Sequence, residues 1–196
     1  AAQSLLNNLQ NEPEPVIQSP ICFLKGTPIH TDQGIVSIEN IDVNIHTICE
    51  LPIIGITKTI STEKYLVCFN KNSLGNNIPC QDTITSWDHK IFFREQLIPA
   101  KHFTRGNKGI YCIPYKQQIL YNVLMENYQT INVNNMICET LHPNHPIARL
   151  YKHLREIPTE KHASIIKKYI DGQIGKKIYY HNMAHSVRRN IRPNAG

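Results

Sequence analysis

The 196-residue chain lacks three kinds of sequence signal, and each absence removes a class of protein. No apolar run approaches the roughly 20 residues that a helix needs to cross a bilayer, and no signal peptide is visible, so we expect no membrane partner. No glycine-rich phosphate loop or nucleotide fingerprint occurs, so we expect no cofactor. No Cys-x-x-Cys pair occurs, which disfavours a structural zinc site.

Cysteine and histidine are present, but their spacing favours neither disulfides nor a metal site. The chain has six cysteines. An even count indicates a disulfide framework mainly in short secreted chains, so we expect free thiols in a reducing intracellular compartment. Cys68 and Cys112 lie in apolar, strand-like runs and are predicted to be buried. The paired histidines have no Glu or Cys placed as a further ligand, so we expect no bound metal.

The net charge of +6 is concentrated late in the chain, where it forms a basic tail. Such a tail could bind nucleic acid through the phosphates, but the aromatic and basic platform of nucleic-acid-binding modules is missing. We therefore interpret the charge as a solvated surface and expect no nucleic-acid partner.

Residues 22–141 carry the signals of a mostly β domain. Short runs rich in Ile, Val, Tyr and Phe alternate with turns that contain Gly, Asn and Pro, and no long helical period interrupts them. Many short strands joined by turns are typical of a barrel-like or sandwich-like body. Residues 1–21 form a lead-in that approaches Cys22 as extended chain. Since the first residue is Ala1 rather than Met, we expect this lead-in to be the end of a longer upstream segment.

Residues 142–196 are predicted to form a small helical, basic C-terminal extension. The first helix is expected to start at Pro143–Asn144, and the second at Thr159 with Gly172 as its end. We expect the apolar faces of both helices to pack on the β body or on a partner. The residues that recur at helical spacing on these faces are Ile147, Leu150, Tyr151, Leu154, Ile165, Ile166, Tyr169 and Ile170.

Three blocks between residues 19 and 141 stand out by their order and spacing. In the first, SPICFLKGTPI, Cys22 opens a strand that a Gly-Thr-Pro turn follows. The second block, Ser86-Trp87-Asp88-His89, lies between two strand-like runs. The third runs from residue 121 to residue 141 and contains an Asn-rich turn. Taken singly, a cysteine at a strand start is usually buried and a turn histidine is usually exposed, so the combination carries the information.

Together the three blocks resemble the Hint domain family, the self-processing modules of inteins and hedgehog-type precursors. The similarity is greatest to its non-splicing members near the C-termini of giant DNA virus proteins. The resemblance implies a horseshoe-shaped fold of short strands with Cys22 and His89 near its centre. It also implies the chemistry. Cys22 attacks the carbonyl of Ile21 in an N-to-S acyl shift, His89 is the proton donor, and Ser86 assists from the position of the family's threonine.

The third block departs from the splicing members of the family, which end in a His-Asn pair. This chain reads Cys138-Glu139-Thr140 there, with no Asn to cyclise, so we do not expect splicing. Cys138 is a candidate acyl acceptor or redox partner if the last hairpin returns it to Cys22. The resemblance therefore implies autoprocessing that releases the domain's own upstream segment.

The alternative is a catalytically weak or silent structural module on the same fold. Its partners would then be other virion proteins. In either case the resemblance to viral members implies a location in the cytoplasm or viral factory of a host cell, or in the virion.

Overall fold

The structure is a computed structural model that describes residues 21–175 of the chain. Thirteen short strands lie within these residues, so the prediction of a mostly β fold is confirmed. The strands are β1 Phe23–Leu24, β2 Pro28–Thr31, β3 Gly34–Ser37, β4 Thr47–Ile48, β5 Leu51–Thr59, β6 Tyr65–Phe69, β7 Thr83–Ser86, β8 Lys90–Phe93, β9 Gln96–Pro99, β10 Ile110–Pro114, β11 Leu120–Met125, β12 Thr130–Val133 and β13 Met136–Glu139.

The helical elements are short apart from the last. They are α1 Ala100–Phe103, α2 Pro146–Leu154, and α3, which begins at residue 162 and is helical to residue 175, with 3-10 turns at Ile38–Asn40 and Thr159–Lys161. Among the described helices, none has both the length and the apolar character that crossing a bilayer requires. The predicted lead-in before residue 21 and the basic tail after residue 175 lie outside the described residues.

The strands form antiparallel sheets, and the two-residue strand β1 lies inside the largest of them. Its seven strands have the order β10-β6-β7-β1-β11-β5-β4. Phe23 of β1 pairs with Thr85 of β7 on one side and with Tyr121 of β11 on the other. The residues just before β1 therefore lie between two strands that come from distant parts of the sequence.

A second sheet has the order β12-β13-β8-β9 and reaches the same region from the side. Asn134 and Asn135 form the tight turn between β12 and β13 with positive φ angles of 51° and 68°. Asn tolerates this left-handed conformation better than most residues, which explains the Asn-rich turn of the third block. Cys138 of β13 pairs with Ile91 of β8, and this register brings Glu139 next to the residues around His89.

The two C-terminal helices pack on the β body, as their apolar faces predict. Ile147, Leu150 and Leu154 of α2 are buried together with Leu124 of β11. The ring of Tyr151 lies so close to β5 that a Cβ atom at Gly55 would come within 3.0 Å of it. A side chain at position 55 would therefore push α2 away from the sheet.

The predicted helix ends need correction. The first helix begins at Pro146 rather than at 143–144, because Pro occupies its first turn and His145 Nδ1 accepts a hydrogen bond from the backbone N–H of Ile147 at 3.3 Å. The prediction that Gly172 ends the second helix is wrong, since α3 continues to residue 175. Gln173, just beyond the glycine, bonds to the end of β5, so a tertiary contact outweighs the low helix propensity of glycine.

The cysteines are all free thiols in the structure. Cys68 is buried as predicted, whereas the prediction for Cys112 is wrong because its side chain is exposed. Cys112 lies on β10, an edge strand of the large sheet, which has a neighbouring strand on one side alone.

Candidate functional site

The peptide bond between Ile21 and Cys22 is held at both of its polar atoms by side chains. The backbone N–H of Cys22 donates a hydrogen bond to Ser86 Oγ at 2.8 Å. The carbonyl oxygen of Ile21 accepts a hydrogen bond from Asn122 Nδ2. Ser86 ends β7 and Asn122 lies in β11, the two strands that flank β1. Most protein hydrogen bonds of the backbone go to other backbone groups, so this peptide is held in an unusual way.

Asn122 is fully buried, with 0% of its surface exposed. Its Oδ1 atom accepts a hydrogen bond from the backbone N–H of Val123 at 2.7 Å. Since the oxygen of the carboxamide is occupied in this way, the NH₂ group is turned toward the carbonyl of Ile21. The side chain is thus a fixed donor at the point where negative charge would develop if this carbonyl carbon were attacked.

Ser86 and His89 are presented by the short turn between β7 and β8. The backbone N–H of Ser86 donates to the carbonyl of Cys22 at 2.8 Å, and the N–H of His89 donates to the carbonyl of Ser86 at 3.3 Å. On the outer side of the turn, Lys101 Nζ lies 2.5 Å from Asp88 Oδ1. These contacts fix the turn, so both side chains face the chain around Cys22.

His89 is completely buried, and both of its ring nitrogens face backbone carbonyl oxygens. Nδ1 lies 3.3 Å from the carbonyl oxygen of Cys22, and Nε2 lies 2.9 Å from the carbonyl oxygen of Glu139. The ring also packs against Phe23, with 4.3 Å between ring centroids. Burial lowers the pKa of His89 below its ordinary value of 6.5, and the Glu139 carboxylate and the two carbonyl contacts offset this only in part.

Glu139 is a buried acid at the end of β13, beside His89. Its Oε1 atom accepts a hydrogen bond from the backbone N–H of Lys90 at 2.8 Å, and its Oε2 atom accepts one from the hydroxyl of Tyr128 at 2.5 Å. The pKa of Tyr128 is raised mainly by burial and secondly by its hydrogen bond to Glu139. Glu139 therefore contacts the His89 turn through both its carbonyl and its carboxylate.

The thiol of Cys22 is enclosed, with 1% of the residue exposed. Burial raises its pKa well above the ordinary value, which disfavours the thiolate form. Ile170 of α3 is part of the same buried apolar cluster, and Ile166 and Ile174 pack against it. Gln173 Oε1 ties the helix to the end of β5 by accepting from Thr59 Oγ1 at 2.9 Å. Helix α3 therefore covers the cysteine.

The structure brings the predicted site residues together, with one difference in detail. Ser86 contacts the Ile21–Cys22 peptide itself, and His89 contacts the next carbonyl along the chain, that of Cys22. The group next to the nitrogen of Cys22 is Ser86, whereas His89 contacts the carbonyl of Cys22. Cys138 belongs to a different buried cluster from Cys22, so these contacts give no support to a direct role for its thiol.

Two site residues were not predicted as functional. Asn122 stands out in the sequence LYNVLM as the amide in a strand whose every residue is buried. Glu139 is the charged residue of β13, which is otherwise apolar. A buried polar residue inside an apolar strand was the available signal, but its partner could not be read from the sequence. Within residues 21–175, no group of three or more His, Cys, Asp or Glu side chains is placed to hold a metal ion.

The comparison with models of protein families identifies one family. The family model described as "Hint domain" matches residues 21–145, more than half of the chain. The gp41-1 intein is 13% identical, with a TM-score of 0.41 over 62% of this chain and 98% of that chain. A GSH-linked, splice-inactive variant of the AceL NrdHF class 3 split intein is 15% identical, with a TM-score of 0.38 over 62% of this chain and 97% of that chain. None of the curated proteins that were compared matches the chain.

Proposed function

The chain belongs to the Hint domain family, and we propose that it is a self-processing domain in which Cys22 attacks the peptide bond that precedes it. The proposed reaction is an N-to-S acyl shift at Ile21–Cys22 that releases the upstream segment without splicing. Its substrate is the domain's own chain, so it requires no cofactor.

The observation that carries this proposal is the pair of side-chain contacts on the Ile21–Cys22 peptide. Asn122 Nδ2 donates to the carbonyl oxygen, and Ser86 Oγ accepts from the nitrogen at 2.8 Å. Attack on an amide needs stabilisation of the oxyanion and a proton for the leaving nitrogen. One donor and one protic group at the two ends of the same peptide meet both needs.

In the proposed step, Cys22 Sγ forms a bond to the carbonyl carbon of Ile21, and the electron pair of the carbonyl moves onto the oxygen that faces Asn122. His89 Nδ1 takes up the thiol proton. When the tetrahedral intermediate collapses, the C–N bond breaks and His89, with Ser86 assisting, delivers that proton to the departing nitrogen. The product is a thioester between Ile21 and Cys22, with a free amine on Cys22. The net change is the transfer of the Ile21 acyl group from nitrogen to sulfur and of one proton from sulfur to nitrogen.

The closing hairpin supports release rather than splicing. The splicing members that the third block resembles end in a His-Asn pair, and this chain has Glu139-Thr140 there, with the Glu139 side chain bonded to Lys90 and Tyr128. Thr140 cannot cyclise as Asn does, so water or an external nucleophile must resolve the thioester. The same ending and the Ser-Pro-Ile-Cys-Phe opening support a place among the non-splicing Hint-like domains of giant DNA virus proteins.

A catalytically silent structural module on the same fold is the second candidate. The burial of Cys22 favours it, because a thiol whose pKa is raised by burial is a poor nucleophile. In that case the site residues would serve packing, and partners would be other proteins of the same assembly.

Incubation of the whole chain with and without dithiothreitol, followed by intact mass measurement, separates the two candidates. Self-processing predicts loss of residues 1–21 in the presence of the thiol. Cys22→Ala should abolish this loss, whereas Cys49→Ala, which removes an exposed thiol, should leave it unchanged. His89→Ala should slow it by about 10²- to 10⁴-fold, the usual contribution of an acid–base group. A native chain that stays intact for days with the thiol would support the structural module.

A further inference from the structure

We propose that Glu139 is a positioning residue for His89: its backbone carbonyl holds one proton on Nε2, and its buried carboxylate compensates the charge that appears when Nδ1 takes a second proton. This inference deepens the proposed function and rests on it for the role of His89 in the reaction.

The tautomer follows from the two contacts of the ring. Both partners of His89 are carbonyl oxygens, which accept hydrogen bonds and never donate them. A neutral imidazole has one N–H, so it can donate a hydrogen bond to one of these two carbonyl oxygens. The Nε2 contact with Glu139 is the shorter, at 2.9 Å, and the Nδ1 contact with Cys22 measures 3.3 Å. The neutral ring therefore places its hydrogen on Nε2, and Nδ1 is the nitrogen that gains and loses a proton beside Cys22.

The carboxylate of Glu139 supplies the compensating charge. Lys90 N–H and Tyr128 OH both donate to it, at 2.8 and 2.5 Å, as an ionised carboxylate requires. Its negative charge favours the imidazolium form of His89, against the burial that disfavours it. A protonated histidine in an apolar enclosure needs such a counter-charge, because an unpaired buried charge is expensive.

The other titratable groups around His89 do not provide a negative charge that could compensate its protonated ring. Cys22, on the β1 side, and Cys138, on β13, are thiols whose buried environment favours the neutral form. Asp88, on the same turn, is paired with Lys101 of α1. Tyr128 contacts His89 only through Glu139 in the hydrogen bonds of the described residues.

The test uses ¹⁵N NMR of the whole chain, with the His89 ring signals identified by their absence in His89→Gln. We expect the neutral ring to carry its proton on Nε2. In Glu139→Gln, whose amide can still accept from Lys90 and donate to Tyr128, the titration midpoint of His89 should fall by about one pH unit. Glu126→Gln is the matched control, since it removes one exposed carboxylate, 3.9 Å from Lys152 Nζ, and should leave the midpoint unchanged.

The rate of thiol-induced release of residues 1–21 gives a second readout. At neutral pH it should fall by up to about tenfold in Glu139→Gln, matching one pH unit, because a less basic His89 takes up the thiol proton less readily. A neutral ring with its proton on Nδ1, or a midpoint that stays the same in a folded Glu139→Gln, would overturn the inference. If Glu139→Gln does not fold, the tautomer of the native chain still decides. If no chain is cleaved, the self-processing proposal fails. The tautomer and the titration midpoint of His89 measured by NMR then still test the positioning role of Glu139.

Discussion

The carboxamide of Asn122 donates a hydrogen bond to the carbonyl oxygen of Ile21, although 101 positions separate the two residues in the sequence. The contact exists because β1 lies against β11, with Leu24 opposite Leu120 and Phe23 opposite Tyr121. The next residues before β1 continue alongside β11 and place the Ile21 carbonyl at Asn122. A donor fixed before the reaction starts needs no reorganisation when charge develops on that oxygen.

Asn122→Ala should slow thiol-induced release of residues 1–21 by about 10²- to 10³-fold, the cost of losing one oxyanion donor. The measurement is a time course of intact mass. Asn132→Ala is the control, because the Asn132 side chain accepts from the backbone of Asn135 in the β12–β13 turn and does not reach the site. Equal rates in Asn122→Ala and the native chain would exclude Asn122 as an oxyanion donor.

Ser86→Ala should lower the free energy of unfolding by about 1–3 kcal/mol, because the buried N–H of Cys22 loses its acceptor. Denaturant titration measures this change. Ser37→Ala, at a serine whose side chain makes no capping hydrogen bond, should cost less. If the two substitutions cost the same, the Ser86 hydroxyl does not satisfy the Cys22 nitrogen in solution.

The stability of the native chain should fall as the pH drops below about 6.5. Burial lowers the pKa of His89 in the folded state, so the unfolded chain binds a proton at a higher pH than the folded chain does. Acid therefore stabilises the unfolded state relative to the folded state. The contribution of neutral His89 to the free energy of unfolding is present above pH 6.5 and is lost as the pH falls toward the folded-state pKa. His89→Gln should flatten the curve of unfolding free energy below about pH 6.5. A curve with the same slope in His89→Gln would contradict the burial of a neutral His89.

Ile170→Asp should make the thiol of Cys22 accessible to iodoacetamide, because a charge at this buried position weakens the docking of α3 over the cysteine. The alkylation rate should rise about tenfold for each 1.4 kcal/mol of lost docking energy. Peptide mass mapping would follow Cys22, with the exposed Cys49 and Cys112 as internal references. Ser164→Asp places the same charge on the exposed face of α3 and should leave the rate unchanged. Rapid alkylation of Cys22 in the native chain would show that α3 does not cover it.

Much of the fold could be predicted from local patterns. Alternating Ile, Val and aromatic residues between Gly, Asn and Pro turns predict short strands, because these preferences act within a few residues. The apolar stripes of α2 and α3 predict their packing for the same reason, and Ile147, Leu150 and Ile165 are indeed buried. The continuation of α3 past Gly172 was not predictable, because the contact of Gln173 with Thr59 spans 114 residues.

The candidate site shows the same division. Cys22, Ser86 and His89 could be selected from the sequence, since each belongs to a block with a defined spacing and a reactive group. The atoms that they contact could not be predicted. A local pattern does not reveal that Ser86, rather than His89, meets the nitrogen of Cys22, or that Asn122 meets the carbonyl of Ile21.

Residue type and short-range spacing are enough to specify the class of fold, the family resemblance and the identity of the reactive groups. The folded structure is needed to see which side chains contact the Ile21–Cys22 peptide, that the Cys22 thiol is enclosed and how His89 is held. These depend on strand register, since the pairing of β1 with β7 and β11 and of β13 with β8 joins segments far apart in the chain. Pairing over such distances is chosen by the packing of the whole core, and no local preference specifies it.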